Sequence, residues 1–291
     1  MKQNKRRISP LGVAVAVFLS LLSPGWAGGQ SAPASISGPT DAVLDAAEAL
    51  VGRALFLRGL YLANDLSFDA TGRVSGGPKT GDWTLAGVNV LKVDRRGPRM
   101  IELDGVRVAI RYNTDNHQFE RHPQNDEKMK ILVGDPGGLP GWNAAGDKIF
   151  AQGIDPGLQR AMPPFWQHYF NPALVWPQDT LTGQTVYALL GQPGQAKDVT
   201  PPTVLHKTDS KMTSFAEHDK VHGVLQLRMV IDTQGVPRRI AIVRPIGYGL
   251  DELAVEAVTK WQFRPGMRGG QPVAVEMLLN YDFEFAAQPH P

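Results

Sequence analysis

The sequence predicts an α+β protein in which a β-rich N-terminal domain with helical segments, residues 41–190, precedes a C-terminal β-β-α-β domain, residues 201–287. Three patterns predict the second domain. Val224 to Val243 reads as a hairpin, Leu250 to Trp261 repeats its apolar residues at helical spacing, and Val273 to Phe285 places them on every second position. A strand buried on one face shows a period of two and an amphipathic helix a period of 3.6, so the order strand, strand, helix, strand follows.

The first strand, Val224 to Ile231, sets Leu225, Leu227, Met229 and Ile231 on one face and Gln226 and Arg228 on the other. Asp232, Thr233, Gln234 and Gly235 supply the loop, where Gly235 takes a positive φ at little steric cost, and Ile240 to Val243 resumes an extended apolar run. Leu250, Leu253, Ala254, Ala257, Val258 and Trp261 then make one helical stripe able to lie across a sheet. Asp251 and Glu252 place negative charge in the first turn, beside its exposed N–H groups, and Pro265 stops any helical continuation. In the last strand Val273, Val275, Met277, Leu279, Tyr281, Phe283 and Phe285 alternate with Ala274, Glu276, Asn280, Asp282 and Glu284; Leu278 interrupts the pattern. Three strands with open ends leave backbone groups free for another strand.

This series resembles the C-terminal domain of the TonB energy-transducer family. Gly249 to Pro265, GLDELAVEAVTKWQFRP, is similar to the family's Leu-Asp-Glu helix and its Trp-x-Phe-x-Pro exit. Gly270, Gln271, Pro272 and Val273 resemble the turn into its last strand, and Thr200, Pro201 and Pro202 its lead-in; Gly266 stands where an alanine is common. The resemblance covers the final third of the chain. It implies that Gly235, Leu250, Asp251, Glu252, Trp261, Phe263, Pro265, Pro272 and Val273 are motif residues with structural or partner-docking roles. It also implies a sheet edge that takes an extended segment from an envelope protein, such as a peptide of an outer-membrane transporter.

The N-terminus has the form of a signal peptide. Lys2, Lys5, Arg6 and Arg7 precede an apolar run from Leu11 to Leu22, and Gly25 and Ala27 flank Trp26, placing cleavage after Ala27. The alternative is an uncleaved inner-membrane anchor, although the run is shorter than the ~20 residues a bilayer span prefers. Loss of these four cations takes the formal charge from +2 to −2, which removes the compositional support for nucleic-acid binding. The chain has no cysteine, which excludes disulfides, a thiol nucleophile and a lipidated cysteine. Gly28 to Thr40 reads as a Gly/Ser/Ala/Pro linker reaching about 40 Å when fully extended. It holds no Pro/Lys-rich tract. No histidine lies between Leu11 and Ala27, where the family's anchor helix presents one to inner-membrane motor proteins, so the sequence gives motor partners no support.

In the N-terminal domain, Asp41 to Leu60 begins as a helix with Thr40 as its cap and Val43, Leu44, Ala47, Leu50 and Val51 on one face. Leu66 to Phe68 reads as a strand entering an Asp69 to Gly72 turn, and Trp83 to Val93 as an extended run. Met100 to Leu103 reads as pairing with Val106 to Tyr112 across an Asp104-Gly105 turn. Asn113 to Glu127 is polar and reads as a loop, and Lys128 to Val133 as an edge strand. Pro156, Pro163 and Pro164 break any long helix. Phe165, Trp166, Tyr169, Phe170 and Trp176 form an aromatic concentration for which burial is the expected fate. Gly191 to Gln195 marks the boundary within a linker at 191–200.

Chemical sites are faint. His218 and His222 stand four apart without the Glu of a zinc-protease motif or a third ligand, and His117 and His122 sit in a polar stretch, so no metal is expected. Gly134 to Gly141 lacks the Gly-Lys-Ser/Thr ending of a phosphate loop and reads as a turn. Asp251 and Glu252 are neighbours on a helix and point apart, which suits capping rather than acid/base work. Arg238, Arg239 and Arg244 read as a solvated strand surface. The expectation is an exported interaction protein, periplasmic and not an enzyme, with no cofactor; monomer and homodimer stay open. The alternative is a periplasmic small-ligand carrier or hydrolase whose activity lies in the N-terminal domain near the aromatic cluster.

Overall fold

The computed structural model describes residues 41–177, 179–188, 196 and 198–284. The expected signal peptide, the linkers at 28–40 and Gly191 to Gln195, Thr40 and Phe285 lie outside the described residues. No helix among the described residues is long and apolar enough to cross a membrane.

The N-terminal half begins with α1 (Ala42–Glu48), β1 (Leu55–Leu57), β2 (Asp65–Phe68), β3 (Gly87–Arg95), β4 (Met100–Asn113) and β5 (Gln118–Gly134). It continues with α2 (Leu139–Ile149), β6 (Phe150–Ala151), α3 (Pro156–Ala161) and α4 (Pro164–Phe170). Its strands form a six-stranded sheet in the order β2-β5-β4-β3-β1-β6, antiparallel except for the parallel β2–β5 pair. The C-terminal half contains β7 (Val186–Ala188), β8 (Val199–Thr200), β9 (Thr203–His206), α5 (Ser214–His218), β10 (Gly223–Ile231) and β11 (Pro237–Arg244). It ends with α6 (Leu250–Val258), β12 (Gln262–Arg264), β13 (Gly266–Arg268) and β14 (Gln271–Phe283). The three expected strands β10, β11 and β14 belong to a wider sheet, β11-β10-β14-β13-β8, with β7 added to β14; β9 and β12 pair separately.

Several expectations fail for identifiable reasons. Asp41 caps α1, its carboxylate accepting from the Leu44 amide at 3.1 Å, and the helix ends at Glu48, followed by a turn with Gly52 at φ +75° and then the fully buried strand Leu55–Leu57. Trp83–Leu85 is a short 3-10 turn capped by Asp82, and extended structure begins at Gly87. Asp104-Gly105 is no turn: β4 runs through it, and Gly105 is needed because a Cβ there would lie 2.2 Å from the Asn89 carbonyl oxygen of β3. The polar stretch from Gln118 onward is strand, paired with β4, and the hairpin turn is Asn113 to Gln118. Its end, Lys128–Val133, is interior, because β2 covers the other side at Lys130–Val133. Gly134–Gly141 is part strand end and part helix, with α2 starting at Leu139.

One hydrophobic core runs through both halves, with Trp83, Ile110 and Trp166 in the same cluster as Leu250, Trp261 and Tyr281, and from Asp41 onward the chain is one compact unit. The halves are also stitched by backbone. Tyr112 N–H donates to the Ile246 carbonyl at 2.8 Å and Tyr248 N–H to that of Ile110 at 2.9 Å. Gly247, at φ +96°, permits this approach, since a Cβ would sit 2.1 Å from the Ile110 oxygen. Trp166 is fully buried against Trp83, Phe119, Tyr169 and Phe170, which makes the aromatic concentration core. Trp176 is half-buried and stacks on His168.

Candidate partner-docking edge

The alternation of β14 is set by what each face meets. Val275, Tyr281 and Phe283 are buried beside Leu225, Leu227 and Met229 of β10, whereas Leu278, Asn280 and Asp282 face solvent. Ala274 breaks the rule for the solvent side because Leu181, Val186 and Val230 close over it. Along its length β14 is paired unequally. β10 covers one side from Val275 to Phe283, β13 pairs with Gln271–Val273, and β7 runs parallel along the opposite side at Ala274–Glu276. From Met277 to Phe283 the side away from β10 has no strand partner among the described residues. That edge displays Leu278, 43 % exposed, and the exposed Asn280 and Asp282. At its end an open groove of about 450 Å³ is lined by His222, Gly223, Val224, Asp282, Phe283 and Glu284.

The segment ending in β7 is fastened across the solvent face of the sheet. Arg239 grips Asp179 with two hydrogen bonds of 3.0 and 2.5 Å, and Arg268 donates to the Tyr187 hydroxyl at 2.9 Å while its guanidinium lies over that ring. These bonds, with Arg238 on Asp232, pair most of what the sequence reads as a solvated arginine surface; Arg244 donates to the Val224 carbonyl at 3.3 Å. The Arg239 guanidinium also holds the Asp179 carboxyl below its ordinary range.

The motif residues lie elsewhere. Gly235, at φ +80°, brings the hairpin loop against the exit of α6, where Phe263 N–H donates to its carbonyl and a Cβ would lie 1.9 Å from the Phe263 oxygen. Leu250 and Phe263 are buried core. Trp261 lies beyond the end of α6, buried beside Phe263 and Tyr281, its indole N–H donating to the Thr208 carbonyl at 2.8 Å. Pro265 separates β12 from β13, and Pro272 and Val273 form the start of β14 in the β13 hairpin.

Asp251 does not cap its own helix. Fully buried, it accepts from the amides of Ile246 and Gly247 at 2.8 and 2.6 Å and so shapes the loop that docks on β4. Asp82, buried nearby, accepts from Thr84 N–H and from the Trp166 indole. Burial and the neighbouring Asp82 charge push the Asp251 carboxyl up to about 8, with the two amides opposing; burial and Asp82 push Glu252 up to about 7. Asp82 and Asp251 meet where the two halves join, and both are buried away from any substrate. His218 contacts Asp219 and His222 the Lys220 carbonyl, on either side of the turn after α5 rather than on one helix face. His117 meets the Tyr112 hydroxyl, and His122 lies near Tyr248. No cluster of three or more His, Cys, Asp or Glu among the described residues is arranged to hold a metal.

The C-terminal half thus runs strand, strand, helix, strand, with a buried Trp after the helix. Residues 215–285 match the family model described as Gram-negative bacterial TonB protein C-terminal, so this stretch of the chain is such a domain. Among solved structures the chain is similar to the solution NMR structure of the Pseudomonas aeruginosa TonB C-terminal domain. There the identity is 19 %, the match covers 32 % of this chain and 92 % of that one, and the TM-score is 0.26. No curated protein matches the chain.

The sequence leads to the expectation of an open sheet edge but not to which strand, or which stretch of it, supplies that edge. Its residues, Glu276 to Glu284 in steps of two, read as an ordinary solvent face, and nothing local distinguishes an unpaired strand from a paired one.

Proposed function

We propose that this chain is an exported TonB-like interaction protein of the bacterial envelope that binds an extended segment of a partner along Met277–Phe283. The observation that carries this reading is the unequal pairing of β14, whose side away from β10 has no strand partner among the described residues over the seven residues Met277–Phe283 and there offers backbone N–H and C=O groups. Adding a strand there satisfies groups that otherwise bond water, and alternate side chains supply selectivity. The partner class is an envelope protein, with an outer-membrane transporter segment as the family's example. The packing of Trp166 against Trp83, with the partly buried Phe119, Tyr169 and Phe170 around them, gives the aromatic cluster a core role and weakens the motive for an apolar-ligand carrier in the N-terminal half.

Because the chain has no cysteine, single thiols report position without background. Leu278→Cys and Asn280→Cys, each carrying a photoreactive group in the full chain, are expected to cross-link a common partner in intact envelopes. Leu91→Cys, on the exposed face of the N-terminal sheet, is the control. Identical adducts from Leu91, or none from the edge positions, would refute the reading.

A further inference from the structure

Charge on the free edge narrows the kind of strand it takes, an inference that rests on the docking reading above. The solvent-facing side of β14 carries Glu276, Asp282 and Glu284, and none of the three makes an ion pair among the described residues. Cations on that face lie on the β10 side of β14: Arg228 on β10 stands opposite Leu278, and Arg244 on β11, the far strand of the sheet, opposite Gln226. The opposite face of the edge is apolar, with Met277, Leu279, Tyr281 and Phe283. A strand added alongside therefore has one row of side chains beside an apolar row and the other beside carboxylates.

We infer that the edge selects an extended segment of about seven residues that alternates apolar with basic side chains, lysine or arginine, the basic row facing solvent beside Asp282 and Glu284. The length is that of Met277–Phe283, the stretch beyond the β7 pairing at Ala274–Glu276 that has no strand partner on this side among the described residues.

The test uses the full chain and two labelled heptapeptides, one alternating lysine with valine and one alternating glutamate with valine. Fluorescence anisotropy at low salt gives the affinity, and hydrogen exchange of the protein amides gives the footprint. The lysine peptide is expected to bind about ten-fold more tightly, to slow exchange across Met277–Phe283, and to lose its advantage as salt rises. Asp282→Lys combined with Glu284→Lys, at two exposed positions, is expected to reverse the preference. Equal affinity for both peptides with the same footprint overturns the charge selection and leaves strand addition standing. Exchange unchanged at Met277–Phe283 with either peptide, or a footprint elsewhere, overturns strand addition itself.

Discussion

Replacing Gly247 by alanine tests whether the two halves of the protein depend on one another. The position combines three demands. Its φ of +96° is one that side-chain-bearing residues rarely adopt, costing about 1–3 kcal/mol. The new Cβ would start 2.1 Å from the Ile110 oxygen, so the loop must withdraw from β4. Withdrawal breaks the Tyr112-to-Ile246 and Tyr248-to-Ile110 backbone bonds, each contributing about 1 kcal/mol. The sum is about 3–5 kcal/mol. For a cooperative unit of this size that lowers the melting temperature by roughly 10 °C. The assay is thermal unfolding followed by tryptophan fluorescence, dominated by the N-terminal half, and by a fluorophore on Leu278→Cys in the C-terminal half. Wild-type protein should show coincident transitions, and Gly247→Ala an earlier transition by both probes. A melting temperature within about 2 °C of wild type would refute the argument that this glycine is held by the contact. Separate transitions in the wild type would show that 41–190 and 201–287 fold as independent domains despite their common core.

Three further outcomes are expected. Trp261→Ala removes a buried indole that packs on Phe263 and Tyr281 and bonds Thr208, and urea unfolding should show a loss of about 3–5 kcal/mol; a loss below about 1 kcal/mol would show that the side chain is not core. Asp251 is raised from 3.8 to about 8 on folding, so the folded state binds more protons between those values and stability falls as pH rises through that window. Asp251→Asn should flatten this slope, and an unchanged slope in urea titrations at successive pH values would place the titration elsewhere. Asp179→Asn weakens the Arg239 clamp and should speed hydrogen exchange at Ala274–Glu276, where β7 covers the edge, while Leu225–Met229 keeps its protection; equal exchange at Ala274–Glu276 would mean that β7 is held without the clamp.

The amino-acid pattern by itself determined the elements whose signal is local. β10, β14 and α6 are legible because burial of one face imposes a period on consecutive residues, and Gly235 is legible because a tight loop needs positive φ. The same local logic misread Asp104-Gly105, because a glycine wanted for close approach to Asn89 looks identical to one wanted for a turn. It also misread Gln118–Glu127, whose polar residues are strand because β4 is there to pair with them. Tertiary structure alone decided the rest. Asp251 became a joint between the halves when residues 84–112 met residues 246–249, and the proposed docking edge is the stretch of β14 beyond Glu276 that has no strand partner on that side among the described residues. Pairing and burial of this kind are relations between distant segments, which no local pattern of residues records.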